Sequence, residues 1–215
     1  LCPTRTRRAA EVAGYVDAGS LRDRLAVLEL QEVSPGEWAW APVRPAWGAV
    51  ALQAKDNLFS RVGLGARDAA VVLRRQRLSL HNALDWHGRR LFLTSITDRG
   101  GGYLDVDAAL VLPCSCTAVR TADSLGAGNR PETRETMRCS FPGVLTEKYV
   151  RYEREDTHAE QETGYVLVTP KVIQLLAGDL VTVRDGTAPG VYAVEAPHVL
   201  DEWKNEYEMR WRGDV

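Results

Sequence analysis

Cys114-Ser115-Cys116 sets two thiols two residues apart, and Cys139 and His158 supply two further donors of the kind a zinc ion takes. Structural zinc sites space their paired cysteines by two or more residues and follow them with a second pair; no second pair follows here. Free, partly buried thiols in a reducing cytoplasm are the expectation, and with Cys2 the four cysteines of a 215-residue chain make no disulfide framework. Asp85 and His87 lie two apart on one strand face and could pair as an acid–base couple. The pattern places no Ser or Cys nucleophile with them, so a polar hairpin turn is expected. Asp105 and Asp107 alternate along a strand, and two lone carboxylates read as a solvated strand face rather than a cation site. "GLGAR" (63–67) is too short for a phosphate loop, and "RGGGY" (99–103) belongs to a hairpin rather than a strand-to-helix turn. The four histidines (81, 87, 158, 198) are scattered, and no nucleophile elbow occurs. Arg212-Gly213-Asp214 spells an adhesion tripeptide that is expected to be coincidence. The expectation is a protein that is not an enzyme and holds no metal and no cofactor.

The arginines carry more information. Arg74, Arg75 and Arg77 cluster at one strand end, Arg61 and Arg67 lie in the long segment before it, and Arg89-Arg90 sit at a hairpin tip. They read either as contacts to phosphates or to acidic surfaces of partner subunits, or as solvated edge charges that prevent unwanted strand pairing. The aromatic residues do not interleave with them along the chain as on a single-strand stacking platform. Trp38, Trp40 and Trp47 are therefore expected as core or interface anchors. Residues 1–120 hold 16 Lys and Arg against 12 Asp and Glu, whereas residues 121–215 hold 11 against 17. Neither half is basic enough for a dedicated nucleic-acid binder, but the two halves face different surroundings.

Hydrophobic residues at 45% and charged residues at 26% describe a globular chain, and no apolar run approaches the ~20 residues of a membrane-spanning helix. "LCPTRTRRAAEVAG" lacks the apolar stretch of a secretory signal. Residues 5–16 predict a short helix in an arm over 1–17. Alternation then predicts strands at "LRDRLAVLEL", at Trp38 and Trp40 after the Ser34-Pro35-Gly36 turn, and at 46–53, 68–76 and 103–113. Within 84–97 it predicts a hairpin turning at His87-Gly88. Residues 117–136, poor in large apolar side chains, read as a linker. Five further strands are expected at 149–155, 164–170, 179–185, 191–197 and 206–212, enough to close a second small β domain. The expectation is an all-β chain: an arm (1–17), a first β-barrel (18–116), a linker (117–136) and a second β domain (137–215).

"AGSLRDRLAVLEL", the Pro-Gly turn, "EWAW" and "AWGAVALQ" resemble the opening of the tailed-phage head–tail joining proteins. In that family a Gly-x-Leu-Arg-x-Arg segment leads into the first strand, and a Trp-Ala-x-Val-like strand follows a variable turn. "AAVVLRRQRLSLHNALDWHGRRLFLTSITDRGG" continues the likeness, with an Arg-ended strand, a short connection, a strand, a glycine turn and a strand that reaches Ile. The resemblance covers residues 18–112, and residues 136–215 extend beyond it. "FPGVLTEKYVRYE" and "LLAGDLVTV" are similar, more weakly, to small β domains of phage minor structural proteins.

The resemblance implies a virion structural protein of the phage neck, an adaptor or stopper made in the host bacterial cytoplasm. It implies a homo-oligomeric ring, hexameric or dodecameric, between the portal or adaptor on the head side and the tail terminator or tail tube. Double-stranded DNA would pass through its axial channel without sequence readout, and no membrane is involved. Under it, Lys55, Asn57, Phe59, Arg61 and Arg67 are candidates for a channel-facing or neighbour-clasping loop. Arg22, Arg24, Arg74, Arg75, Arg77, Trp38 and Trp40 are candidates for the subunit interface, and Arg5, Arg7 and Arg8 for a portal-docking arm. The competing readings are a stand-alone β-barrel binding module for nucleic acid or peptide, and a metal-dependent hydrolase built on Asp85, His87 and the cysteines.

Overall fold

A computed structural model describes residues 18–52, 67–125, 130–149, 163–186 and 188–215. The expected arm over 1–17, Lys55, Asn57, Phe59 and Arg61 of the long loop, and most of the strand expected at 149–155 lie outside these residues. Among them every regular element is a strand, apart from one turn of 3-10 helix at Ala18–Ser20. The strands are β1 (Asp23–Ser34), β2 (Glu37–Leu52), β3 (Arg67–Arg74), β4 (Ala83–Trp86), β5 (Arg89–Gly100) and β6 (Tyr103–Val111), then β7 (Cys114–Leu125), β8 (Pro131–Tyr149), β9 (Thr163–Pro170), β10 (Leu180–Val183), β11 (Gly190–His198) and β12 (Lys204–Gly213). No helix among them is long and apolar enough to cross a membrane.

The strands close into two rings. In the first the order β1-β4-β5-β6-β3-β2 returns to β1; in the second β8-β7-β10-β11-β12-β9 returns to β8. Every pairing within a ring is antiparallel, and one parallel bridge between Glu37 and Ser140 links the two. Each ring encloses its own core. The first is built from Leu25, Val27, Val71, Leu73, Leu91, Leu104 and Val106; the second from Cys116, Phe141, Leu167, Val181, Val183, Tyr192 and Met209. Strand parity makes these interiors: on β3, Ala69, Val71 and Leu73 are buried while their neighbours face outward.

Local chemistry sets the turns. His87 and Gly88 both adopt positive φ (53° and 76°), as a two-residue hairpin turn that follows the strand twist requires, and Asp85 Oδ1 accepts the Gly88 N–H at 3.2 Å. β2 runs unbroken through Pro42 and Pro45, where a break between two strands was expected. The pairing skips Val43 between Val27 and Leu28, so a bulge there absorbs the missing proline donors.

Most of the described residues of the expected linker over 117–136 are strand: residues 117–125 and 131–136 form outer parts of β7 and β8, paired from Thr117↔Ser140 to Leu125↔Pro131. Beyond Arg120 this ribbon pairs only with itself among the described residues, and Thr121 to Ser124 and Glu132 to Thr136 are exposed. With no buried face it has no apolar period. Polar cross-strand pairs hold it instead, including Thr133 Oγ1 to Asp123 at 2.7 Å and Thr136 Oγ1 to the Arg120 carbonyl at 3.2 Å.

Residues 171–179 pack onto the second ring through buried polar contacts. Asn205 Nδ2 donates to the carbonyls of Lys171 (3.1 Å) and Ile173 (2.8 Å), and the Tyr207 hydroxyl donates to Ile173 (2.8 Å). Asp179, 2% exposed, receives Arg120 Nε at 2.7 Å, Arg120 Nη2 at 2.8 Å and the Leu176 N–H at 2.7 Å. That hydrogen bonding holds the Arg120 guanidinium above its ordinary range.

Three substitutions test this architecture. A Cβ at Gly48 would lie 2.7 Å from Leu73 Cδ2 and 2.8 Å from the Val72 carbonyl oxygen. Gly48→Val is therefore expected to cost about 1–3 kcal/mol or more in urea unfolding, with the strand dichroism retained. Arg120→Ala leaves the Asp179 carboxylate buried without its counter-charge and is expected to cost about 3 kcal/mol. Asp179→Asn should cost less, because it leaves a neutral amide and an arginine that can turn to water.

Candidate interaction surface

The outer face of the first ring gathers side chains that are far apart in sequence. Arg24 on β1 lies opposite Trp47 on β2, and Arg74 on β3 lies opposite Tyr103 on β6. Gly48 faces Leu73 inside the ring, so the next positions, Trp47 and Arg74, adjoin on the outside, and both line one hollow. Arg24, Trp47, Arg74 and Tyr103 thus make a row across four strands. Strand parity puts Leu25, Leu73 and Leu104 beneath the row in the core. Trp47 is 56% exposed, a large apolar ring held in water between two cations.

Trp47 also lines a hollow of about 440 Å³ together with Leu21, Pro45, Ala46, Arg74, Arg75 and Gln76. A second hollow of about 600 Å³ lies beside Pro45, between Arg24, Val43, Arg44, Asp85 and His87. Polar contacts brace both. Arg44 Nε donates to Gln76 Oε1 at 3.0 Å, Arg75 pairs with Asp98 at 2.8 Å, and the Arg75 N–H donates to the Gly102 carbonyl at 2.7 Å. Asp23, between Arg22 and Arg24, accepts the Val50 N–H at 2.8 Å and the Trp86 indole N–H at 3.3 Å, tying β1 to β2 and β4.

The expected interface residues divide. Arg24, Arg74 and Arg75 come together with Trp47, and Arg77 is exposed a little beyond them. Arg22 is exposed and donates to the Gly19 carbonyl at 2.7 Å. Arg67, the described member of the loop group, opens β3 opposite Leu110 and is exposed. Trp38 and Trp40 are engaged within the chain. Trp38 packs half-buried against the core of the second ring, and Trp40 meets Phe92 edge-on at 5.7 Å. Arg5, Arg7 and Arg8 fall outside the described residues.

The separation of aromatic from basic residues seen along the chain does not survive folding. Trp47 lies between arginines contributed by neighbouring strands. The missing signal was register: the parity of Trp47 is readable from Ala46 and Gly48, but its neighbours depend on the bulge at Val43.

Several of the other candidate polar residues make packing and turn contacts where they are described. The Cys114 and Cys116 sulfurs lie 3.6 Å apart in the second core, and Cys114 Sγ donates to the Gly143 carbonyl at 3.4 Å. The hydrogen bond with Cys114, and then burial, push the Cys116 thiol far above the ordinary range, so it resists becoming a nucleophile. Burial also raises Cys139. Cys114, Cys116 and Cys139 are free thiols. Asp105 pairs with Arg99 at 3.1 Å, and Asp85 serves its turn and the half-buried Arg90, whose guanidinium burial lowers. Among the described residues no three His, Cys, Asp or Glu side chains converge as a metal ion would need.

The most exposed apolar side chain of the second ring is Leu200, wholly exposed in the loop between β11 and β12. Lys171 Nζ donates to the carbonyls of Val199 and Asp201, each at 2.6 Å. Asp201 Oδ1 accepts the N–H groups of Trp203 (2.8 Å) and Lys204 (3.1 Å), which hold its carboxyl below the usual range. The Trp203 ring meets His81 of the first ring edge-on at 4.6 Å.

No family model, curated protein or solved structure matches the chain.

The two kinds of tryptophan should separate in unfolding experiments. Trp38→Ala is expected to lower stability by about 1–3 kcal/mol, since it removes the indole that packs on the second core. Trp47→Ala should change stability by less than about 0.5 kcal/mol, as expected of a side chain that is more than half exposed.

Proposed function

We propose that this chain is a structural subunit of a tailed-phage neck. Its copies form a ring that joins the portal or adaptor to the tail and lets double-stranded DNA pass along the axis. The observation that supports this reading most is where the head–tail joining motifs fall. The Gly-x-Leu-Arg-x-Arg segment, Gly19 to Arg24, leads into β1; the Trp-rich segments are β2; the Arg-ended strand is β3; and the glycine turn joins β4 to β5. All of them belong to one closed ring with its own core, which supports reading the likeness as one unit. The first ring is then a barrel of the head–tail joining type, and the second is an added domain.

This role requires rigid bodies with different flanks and assigns no catalysis to the chain. A cyclic assembly of identical subunits uses head-to-tail contacts, so each subunit presents two unlike surfaces. The first 120 residues are net basic and the remainder net acidic, which supplies two surfaces of opposite character. Arg74 and Arg75 lie at the subunit interface in this reading. A stand-alone module for nucleic acid or peptide is the second reading, favoured by Trp47 standing exposed between Arg24 and Arg74.

Mixing the purified protein with portal rings of the same phage, followed by light scattering and negative-stain imaging, tests the proposal. A ring of added density on the portal is the expected result. Reversing both charges with Arg74→Glu and Arg75→Glu should weaken assembly roughly tenfold or more. A chain that stays monomeric with and without portal, yet retains nucleic acid or peptide, would overturn the neck reading in favour of the module.

A further inference from the structure

We propose that Leu200, with Asp201 and Glu202, is a knob that inserts into the Trp47 hollow of a second copy of this chain. The proposal rests on the ring reading, in that the partner is another subunit, and it names the contact by which one copy holds the next.

The knob has features that chance exposure does not explain. A single leucine in water is ordinary; one held in water by a braced loop is not. Lys171 fastens the carbonyls on both sides of Leu200, the Asp201 side chain accepts the N–H groups of Trp203 and Lys204, and Trp203 rests against His81. Val199, 48% exposed, widens the apolar tip, and Asp201 and Glu202 add exposed carboxylates behind it. A loop already fixed in shape loses little freedom on binding.

The hollow matches this in chemistry. Leu21, Pro45, Ala46 and the exposed Trp47 line it with apolar surface for a leucine, and Arg74 borders it with positive charge for the two acids, beside Arg75, which already pairs with Asp98. Tryptophan and arginine around a pocket are the composition of an interface hot spot. Leu200 is wholly exposed in its own chain, so it does not fill its own hollow. Knob and hollow are different parts of the surface, which makes the contact heterologous: every copy offers one of each, and assembly continues until the rotation closes.

Two single substitutions on solvent-exposed side chains test it. Leu200→Glu spoils the knob and Trp47→Ala spoils the hollow, and each variant should keep the wild-type dichroism and melting temperature. Each alone should assemble, by itself or on the portal, roughly thirtyfold more weakly than wild type. Mixed in equal amounts, they should form a heterodimer and stop, because one intact knob meets one intact hollow and no second pair remains. Wild-type rings that Leu200→Glu leaves unchanged would overturn the contact while leaving the neck reading standing. Wild-type oligomers that Leu200→Glu abolishes, but that never engage the portal, would support the contact and overturn the neck reading. A wild type that never self-associates would overturn both.

Discussion

Pairing of β1 with β2 and of β8 with β9 brings the first and last strands of each six-stranded sheet together, and this closure constrains the rest of the molecule. A closed ring leaves no exposed edge for stray pairing, and a ring this small fills its interior with side chains. Strands that bend this tightly must approach one another closely at some points. Gly48 occupies such a point in the first ring, against Leu73 and Leu25. Gly143 occupies another in the second, where a Cβ would lie 2.9 Å from Leu167 Cδ1 and 3.1 Å from Cys116 Sγ. The cysteines that suggested a metal are small, polarizable packing atoms at that crowded position.

With interiors committed to packing, whatever the chain does it does with outward-facing residues and loops. The outer positions are not uniform. On the first ring the row from Arg24 to Tyr103 sets an indole among cations. On the second, Glu195 pairs with Arg210 (2.7 Å) and Lys204 with Glu206 (2.6 Å). The braced Leu200 loop and the β7–β8 ribbon are what stand out from it.

How far the sequence could be read depended on whether an element had a buried face. β3 was legible because Ala69, Val71 and Leu73 alternate with outward residues, and the β4–β5 turn because His-Gly between two alternating runs has few other uses. The all-β class followed from such runs. The β7–β8 ribbon was not legible: Thr121 to Ser124 and Glu132 to Thr136 are wet on both faces, so nothing in their polarity records the pairing, and Thr-rich composition was the only trace. β2 was read as two strands, at Trp38 and Trp40 and at 46–53; Pro42 and Pro45 fall between them, and the bulge that accommodates them is a property of the partner strand's register. The Trp47 row failed for the same reason. Its members lie on four strands, and a one-residue slip would have turned each to the core.

Two rings on one chain are useful as polar building blocks only if they hold a fixed relation, and a short covalent join at Leu112-Pro113 does not by itself enforce one. The long β1–β2 hairpin supplies the second tie. Its turn lies on β8, where Ser140 N–H donates to the Gly36 carbonyl at 2.8 Å and a Cβ on Gly36 would lie 2.8 Å from the Arg138 carbonyl oxygen. Only a glycine, at φ 77°, lets the turn approach so closely. Trp38 then enters the second core from this hairpin, and His81 meets Trp203 at a separate point. These contacts add to the two-residue join and oppose the hinge freedom that it permits by itself. The same hairpin carries Trp47 further along β2, and Trp203 adjoins the Leu200 loop, so the elements that tie the rings together are those that present the two proposed contact surfaces. A head-to-tail assembly closes only if the angle between its two contacts is the same in every copy. Placing both contacts on the elements that brace the rings makes that angle a property of the fold.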